Sequence, residues 1–136
     1  MPKPKIVLVE DEPLIATMVK ARLEANDYEV LIASNGLDGL QLIRKEIPDL
    51  AILDVMLPRV NGYQICAMVK ANPRYNKVPI IMLTACAQES DKDKGRQCGA
   101  DAYITKPFEA KELLATIKRL IDKKGGENGQ KDTCCR

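Results

Sequence analysis

Five short runs of almost wholly apolar residues punctuate the chain: Ile6 to Val9, Val30 to Ala33, Leu50 to Leu53, Ile80 to Leu83 and Ala102 to Ile104. None alternates with polar residues as a strand with one wet face would, so each suits a strand covered on both faces in a parallel sheet. The segments between them carry helical spacing. Pro13 can open the first helix, in which Leu14, Met18, Ala21 and Ala25 mark one apolar stripe and Ile15, Val19, Arg22 and Leu23 broaden it. Ser34, Asn35 and Gly36 give start signals for a second, which buries Leu37, Leu40 and Ile43 before Pro48 closes it. Tyr63 to Ala71 reads as a third, with Ile65, Met68 and Val69 inward and Asn72 and Pro73 as the stop. Glu89 to Cys98 is a polar fourth, weakened by Gly95, and is expected to be the loosest element. Ala110 to Asp122 is the cleanest: Leu113, Leu114, Ile117, Leu120 and Ile121 face inward, and Lys123 and Lys124 suit the negative helix end.

Strict β-α alternation repeated five times predicts an α/β fold, a doubly wound five-stranded parallel sheet, because each parallel connection crosses back over the sheet through a helix. At 136 residues there is room for one domain, whose core needs no disulfide or metal staple. Residues 1–124 are assigned to it, and the Gly-containing polar stretch 125–136 reads as a disordered tail. Charge adds an exclusion: a net +2, with the excess in the last fourteen residues, is not the footprint of a nucleic-acid binder. Five cysteines, Cys66, Cys86, Cys98, Cys134 and Cys135, form no CxxC pair and follow no signal peptide, which fits a reducing cytoplasm. Without any histidine, His-containing zinc sites and His-based triads are excluded, and no apolar run is long enough to span a membrane.

Ligands of doubly wound sheets sit beyond the carboxyl ends of the strands. There the sequence places Glu10 and Asp11 after the first run, Asp54 after the third, Thr84 after the fourth and Lys106 just past the fifth. A single Asp ending a strand is ordinarily a cap or turn former, but so many capable groups at one sheet edge form a site. Three carboxylates about 4 Å apart would repel pairwise by about 4 kcal/mol at an effective dielectric near 20, so a cation must neutralise them. Oxygen-only ligands select a hard ion such as Mg²⁺, with Mn²⁺ also suitable. Lys106 adds a point positive charge and Thr84 a hydroxyl, the donors that suit phosphoryl oxygens. Together they point to metal-assisted phosphoryl transfer to a carboxylate.

Four stretches carry a family resemblance: Ile6-Val-Leu-Val-Glu-Asp-Glu12; Leu53-Asp-Val-Met-Leu-Pro58 with Asn61-Gly62; Ile81-Met-Leu-Thr-Ala85; and Gly99-Ala-Asp-Ala-Tyr-Ile-Thr-Lys-Pro-Phe108. In this order, across residues 4–122, the sequence resembles the receiver domain of two-component response regulators. The resemblance implies a flavodoxin-like (α/β)5 sandwich with strand order 2-1-3-4-5, and only an order that sets strands 1 and 3 side by side brings Asp11 to Asp54. It further implies Asp54 as phosphate acceptor, and Mg²⁺ held by Asp11, Asp54 and the Met56 carbonyl, with Glu10 orienting a water on the ion. Lys106 would pair with the phosphoryl group, aimed by a cis Lys106-Pro107 bond, and Thr84 would bind another of its oxygens. Tyr103 would be the switch aromatic that turns inward when Thr84 moves; otherwise it is a core aromatic of the last strand. Met56 and Cys86, two residues past Asp54 and Thr84, are poorly suited to orient water, which implies a long-lived phosphorylated state.

Other classes fit less well. A phosphatase with an Asp nucleophile needs a second acid two residues on, where Met56 stands. A flavodoxin-like cofactor binder would face Glu10-Asp11-Glu12 at its phosphate loop. A receiver that serves only as a docking surface has no need of the complete acidic, hydroxyl and ammonium set. The expected role is therefore a signalling switch, not a turnover enzyme. Its donor would be a sensor histidine kinase or a histidine phosphotransfer protein. Its responding face would be the polar segment 89–98, the last strand and the last helix, which controls a downstream partner or an output domain. The chain is expected to be a monomer or a weak phosphorylation-dependent dimer, dimerisation through that face being disfavoured by Ala102.

Overall fold

The computed structural model describes residues 3–55, 57, 62–84, 99–105 and 108–125, with Thr84 and residues 123–125 described as backbone alone. The strands are β1 (Lys5–Val9), β2 (Glu29–Ala33), β3 (Leu50–Asp54), β4 (Ile80–Thr84) and β5 (Ala102–Thr105). Each apolar run of the sequence is a strand, and each extends by one residue at one end. The helices among the described residues are α1 (Pro13–Glu24), α2 (Gly36–Glu46), α3 (Gly62–Lys70) and α4 (Ala110–Gly125). The polar helix expected at Glu89 to Cys98 and residues 126–136 of the expected tail lie outside the described residues, whereas Gly125, assigned to that tail, is instead the last residue of α4.

All strand pairs are parallel, in the order β2-β1-β3-β4-β5. Alternate side chains of each strand serve opposite faces of the sheet. Val7, Val9, Ala51, Leu53, Ile80 and Met82 meet α2 and α3, whereas Ile6, Leu8, Leu50, Ile52, Ile81 and Leu83 meet α1 and α4. Both layers are fully buried in the central strands, which explains the absence of polar alternation there. At the edges coverage thins, and Ile32 of β2 is exposed. Ile52, fully buried on the α1 and α4 side, sets a measure of the core: Ile52→Ala is expected to lower urea-unfolding stability by about 2–5 kcal/mol.

The helix boundaries follow the start and stop signals. Pro13 stands in the first turn of α1. Asn35 caps α2 by accepting the Asp38 N–H at 2.9 Å, while Ile47, with φ 41°, ends it one residue before Pro48. The inward faces differ from expectation in three helices. In α1 the residues packed on the sheet are Ala16, Val19 and Leu23; Leu14, Met18, Ala21 and Ala25 point to solvent, with Leu14 76% exposed. In α2, Leu40 and Ile43 are buried but Leu37 is exposed, and in α3, Cys66 takes the place expected for Met68 beside Ile65 and Val69. In α4, Leu113, Ile117 and Leu120 are buried, with Leu114 and Ile121 packed at the margin.

At the amino ends of the strands, Lys5 Nζ meets Glu46 at 2.8 Å. The hydrogen bond from Lys5 holds the Glu46 carboxyl below its usual range, and the same bond raises the Lys5 ammonium. The pair's contribution is thus present between the two unfolded values; it is lost as pH falls through the Glu46 value or rises through that of Lys5. Both side chains are half-buried at the surface, where water still screens the pair, so the effect on stability is small.

Candidate metal and phosphoryl site

The register of β1 against β3 pairs Val9 with Leu53, so the residues that follow, Glu10 and Asp54, emerge side by side at the carboxyl edge of the sheet. Glu10 remains tied to the sheet, its N–H donating to Ala33 O at 3.0 Å, and one of its carboxylate oxygens accepts the Glu12 N–H at 3.1 Å. Asp54 is the last residue of β3, and the next N–H, that of Val55, donates to Leu83 O of β4 at 2.9 Å. Each side chain therefore starts from backbone held on a neighbouring strand.

Glu10, Asp11 and Asp54 each offer a carboxylate oxygen, and these atoms lie within 4.8 Å of one another. Glu10 and Asp54 are buried, 1% and 3% exposed, whereas Asp11 is exposed. Two shielded carboxylates and a wet one form an all-oxygen cluster. That donor set fits a hard divalent cation that keeps coordination positions for water or a phosphate oxygen.

The other expected site residues divide. Thr84 ends β4, its backbone beside Thr105, so the hydroxyl-bearing residue belongs to the same sheet edge as Asp54. Tyr103 is half-buried on β5, opposite Met82, and packs against the core layer shared with α2 and α3. Met56, Lys106, the Lys106-Pro107 bond and Cys86 lie outside the described residues.

Gly62 is a contributor whose role sequence reasoning missed, although it lies within the matched Asn61-Gly62 stretch. It opens α3 directly against the strand that bears Asp54: a Cβ there would stand 2.5 Å from the Asp54 carbonyl oxygen. Its N–H donates to Val55 O at 3.2 Å, which holds the turn after β3 against the helix.

The model of the response regulator receiver domain matches residues 6–118, and the chain belongs to that family. It is 40% identical over 118 residues to the DNA-binding dual master transcriptional regulator RpaA of Synechocystis, covering 87% of this chain and 49% of that protein. The chain spans about half the length of the curated relatives it matches. A CheY-like receiver domain protein from Methanospirillum hungatei superposes with a TM-score of 0.87 at 32% identity, covering 92% of this chain and 98% of that one. The receiver domain of a Pseudomonas aeruginosa sensor histidine kinase, also 32% identical, superposes with a TM-score of 0.82 over 88% of this chain and 98% of that one. That structure holds a magnesium ion in its active-site cleft. Fold and family agree on a signalling domain of two-component systems with the flavodoxin-like order 2-1-3-4-5.

Proposed function

We propose that the chain is a phosphorylation-activated switch that accepts a phosphoryl group on Asp54 from a histidine kinase or a histidine phosphotransfer protein. The observation that carries this reading is the cluster itself, with three carboxylates gathered within 4.8 Å where Asp54 ends a central strand. Asp11, Asp54 and the Met56 carbonyl would hold Mg²⁺, or Mn²⁺, with Glu10 supporting the set. The ion supplies positive charge that lets a phosphoryl group approach a carboxylate. An Asp54 oxygen then forms a bond to phosphorus as the donor's P–N bond breaks, and the histidine nitrogen leaves and takes up a proton. Thr84 and Lys106 are assigned to the transferred oxygens.

The modification adds about −1.5 to −2 charges at the carboxyl edge of the sheet. Its response is assigned to Thr84, Tyr103, segment 89–98 and α4, since a rearrangement is driven only by contacts that differ between two states. The chain's own chemistry is confined to self-catalysed uptake and autodephosphorylation. Residues 1–124 form the receiver unit, acting as a monomer or a weak phosphorylation-dependent dimer. It controls either a protein partner or an output domain of the kind that the name of its Synechocystis relative implies. No helix of the described residues is long and apolar enough to cross a membrane, in keeping with a cytoplasmic role.

Intact mass after incubation with acetyl phosphate tests the reading. A gain of one phosphoryl group with Mg²⁺ and none without it is expected; no gain in either condition overturns self-catalysed uptake and favours a docking module. The lifetime is a separate outcome. With Met56 and Cys86 poorly suited to orient water, the phosphorylated chain is expected to decay at least several-fold more slowly than the variant Met56→Asn with Cys86→Glu. Equal decay, followed by mass, would remove those side chains from the account.

A further inference from the structure

We propose that Lys70 is a positioning residue: acting through Asp101, it fastens the start of β5 to β4 and so sets where Tyr103 stands on the responding edge of the sheet. The purpose given to β5 rests on the phosphoacceptor reading; the fastening itself rests on geometry alone. Lys70 ends α3, and its ammonium donates to Asn76 O at 3.1 Å, Val78 O at 2.8 Å and Asp101 Oδ2 at 3.1 Å. An ammonium has three N–H donors, and here each has an acceptor. With 18% of the Lys70 side chain exposed, these bonds are partly shielded from competing water.

Asp101 carries the tie onward. The oxygen that faces Lys70 also accepts the Ile80 N–H at 2.8 Å, while the Asp101 N–H donates to Ile80 O at 2.9 Å. Both backbone groups of the first β4 residue are therefore bound by the residue that precedes β5. The chain reaches Asp101 by wrapping the lysine stem: Gly99 turns with φ +90°, and a Cβ at that position would lie 3.1 Å from Lys70 Cγ. The stem supplies packing and the head supplies the bond.

β5 has particular need of such a fastening. It has four residues and lies at the sheet edge with β4 as its neighbour, and it is less buried than β1 or β3. A short edge strand opens more readily than central ones. Yet β5 carries Tyr103 opposite Met82 and Thr105 opposite Thr84. The tie lies at the amino ends of β4 and β5, opposite the carboxyl edge that bears the acid pocket. It therefore anchors the strand at one end while the proposed response takes place at the other.

Amide hydrogen exchange of the full chain, without Mg²⁺ or phosphodonor, tests the fastening. Lys70→Met keeps the stem and removes the donors. It is expected to speed exchange of the β5 amides at least tenfold while those of β1 and β3 stay within about twofold of the parent. Lys70→Arg, which keeps the charge and several donors, should restore most of the β5 protection. Asp101→Asn, which retains an oxygen for Ile80 but loses the charge, should give an intermediate change confined to β5. Unchanged β5 exchange in Lys70→Met, or an equal loss across all strands, overturns the proposal. In a parent that takes up phosphate, Lys70→Met should also slow uptake several-fold with Mg²⁺ affinity unchanged. Absence of uptake in the parent would count against the phosphoacceptor reading alone, because the exchange pattern decides the fastening without it.

Discussion

Asp54→Asn is expected to take up no phosphoryl group from acetyl phosphate and yet to melt above the parent chain in Mg²⁺-free buffer. Loss of uptake follows from removing the nucleophilic oxygen that carries negative charge. The gain in stability follows from the carboxylates gathered within 4.8 Å. Taken at that largest separation, each charged pair repels by about 3.5 kcal/mol for an effective dielectric near 20, before screening by water. Asp11 is exposed, so water screens its share, and the net relief is about 1 kcal/mol. For a chain of this size that is an increase in Tm of roughly 3–5 °C. Addition of Mg²⁺ should reverse the order. A ligand that binds only the folded parent adds about 2.7 kcal/mol at a hundred times its Kd, whereas the variant has lost a charged ligand. Thermal melts of both chains with and without Mg²⁺ give the four values required. If parent and variant melt together in both buffers, the three carboxylates do not form a cation pocket.

The same pocket shows why part of the site is legible in the sequence. Glu10, Asp11 and Asp54 follow apolar runs directly, and strand ends in a parallel sheet share one edge, so chain position alone brings them together. The strands are legible for a related reason: Val7 to Val9 and Ala51 to Leu53 are buried on both faces and cannot carry polar residues. Helix phase is less accessible. α1 has apolar residues on opposite faces, and Leu14, Met18, Ala21 and Ala25 match the helical period as well as Ala16, Val19 and Leu23 do. Periodicity gives the spacing of a stripe; the tertiary fold decides which stripe is buried. In α3 the compact Cys66 fits fully beneath the helix, and the longer Met68 stays 44% exposed. The Lys70 tie is invisible for another reason. It joins residues 31 positions apart, of types common on any surface, and only the return of the chain to the sheet edge makes them neighbours.

Gly62→Ala isolates the contact between α3 and the acceptor strand. By helix propensity alone it should stabilise the protein by up to about 1 kcal/mol, because glycine is the poorer helix former. Packing opposes that gain. The new Cβ would meet the Asp54 carbonyl oxygen at 2.5 Å and the Asp54 carbonyl carbon at 3.1 Å, closer than ordinary van der Waals contact. Met82 Cε, at 3.0 Å, is the end of a flexible side chain and can move aside; the β3 backbone, paired with β1 and β4, cannot do so cheaply. The start of α3 must therefore shift, which strains the 3.2 Å bond from Gly62 N–H to Val55 O and disturbs the end of the strand that presents Asp54. Overpacking of this kind costs about 1–3 kcal/mol, so net destabilisation is expected in urea unfolding. Phosphoryl uptake, which depends on placing the Asp54 oxygen to within a fraction of an ångström, should fall at least tenfold. A Gly62→Ala chain that is more stable than the parent and takes up phosphate at the parental rate would show that the helix start yields without moving Asp54. The absence of a Cβ would then have no part in positioning the acceptor.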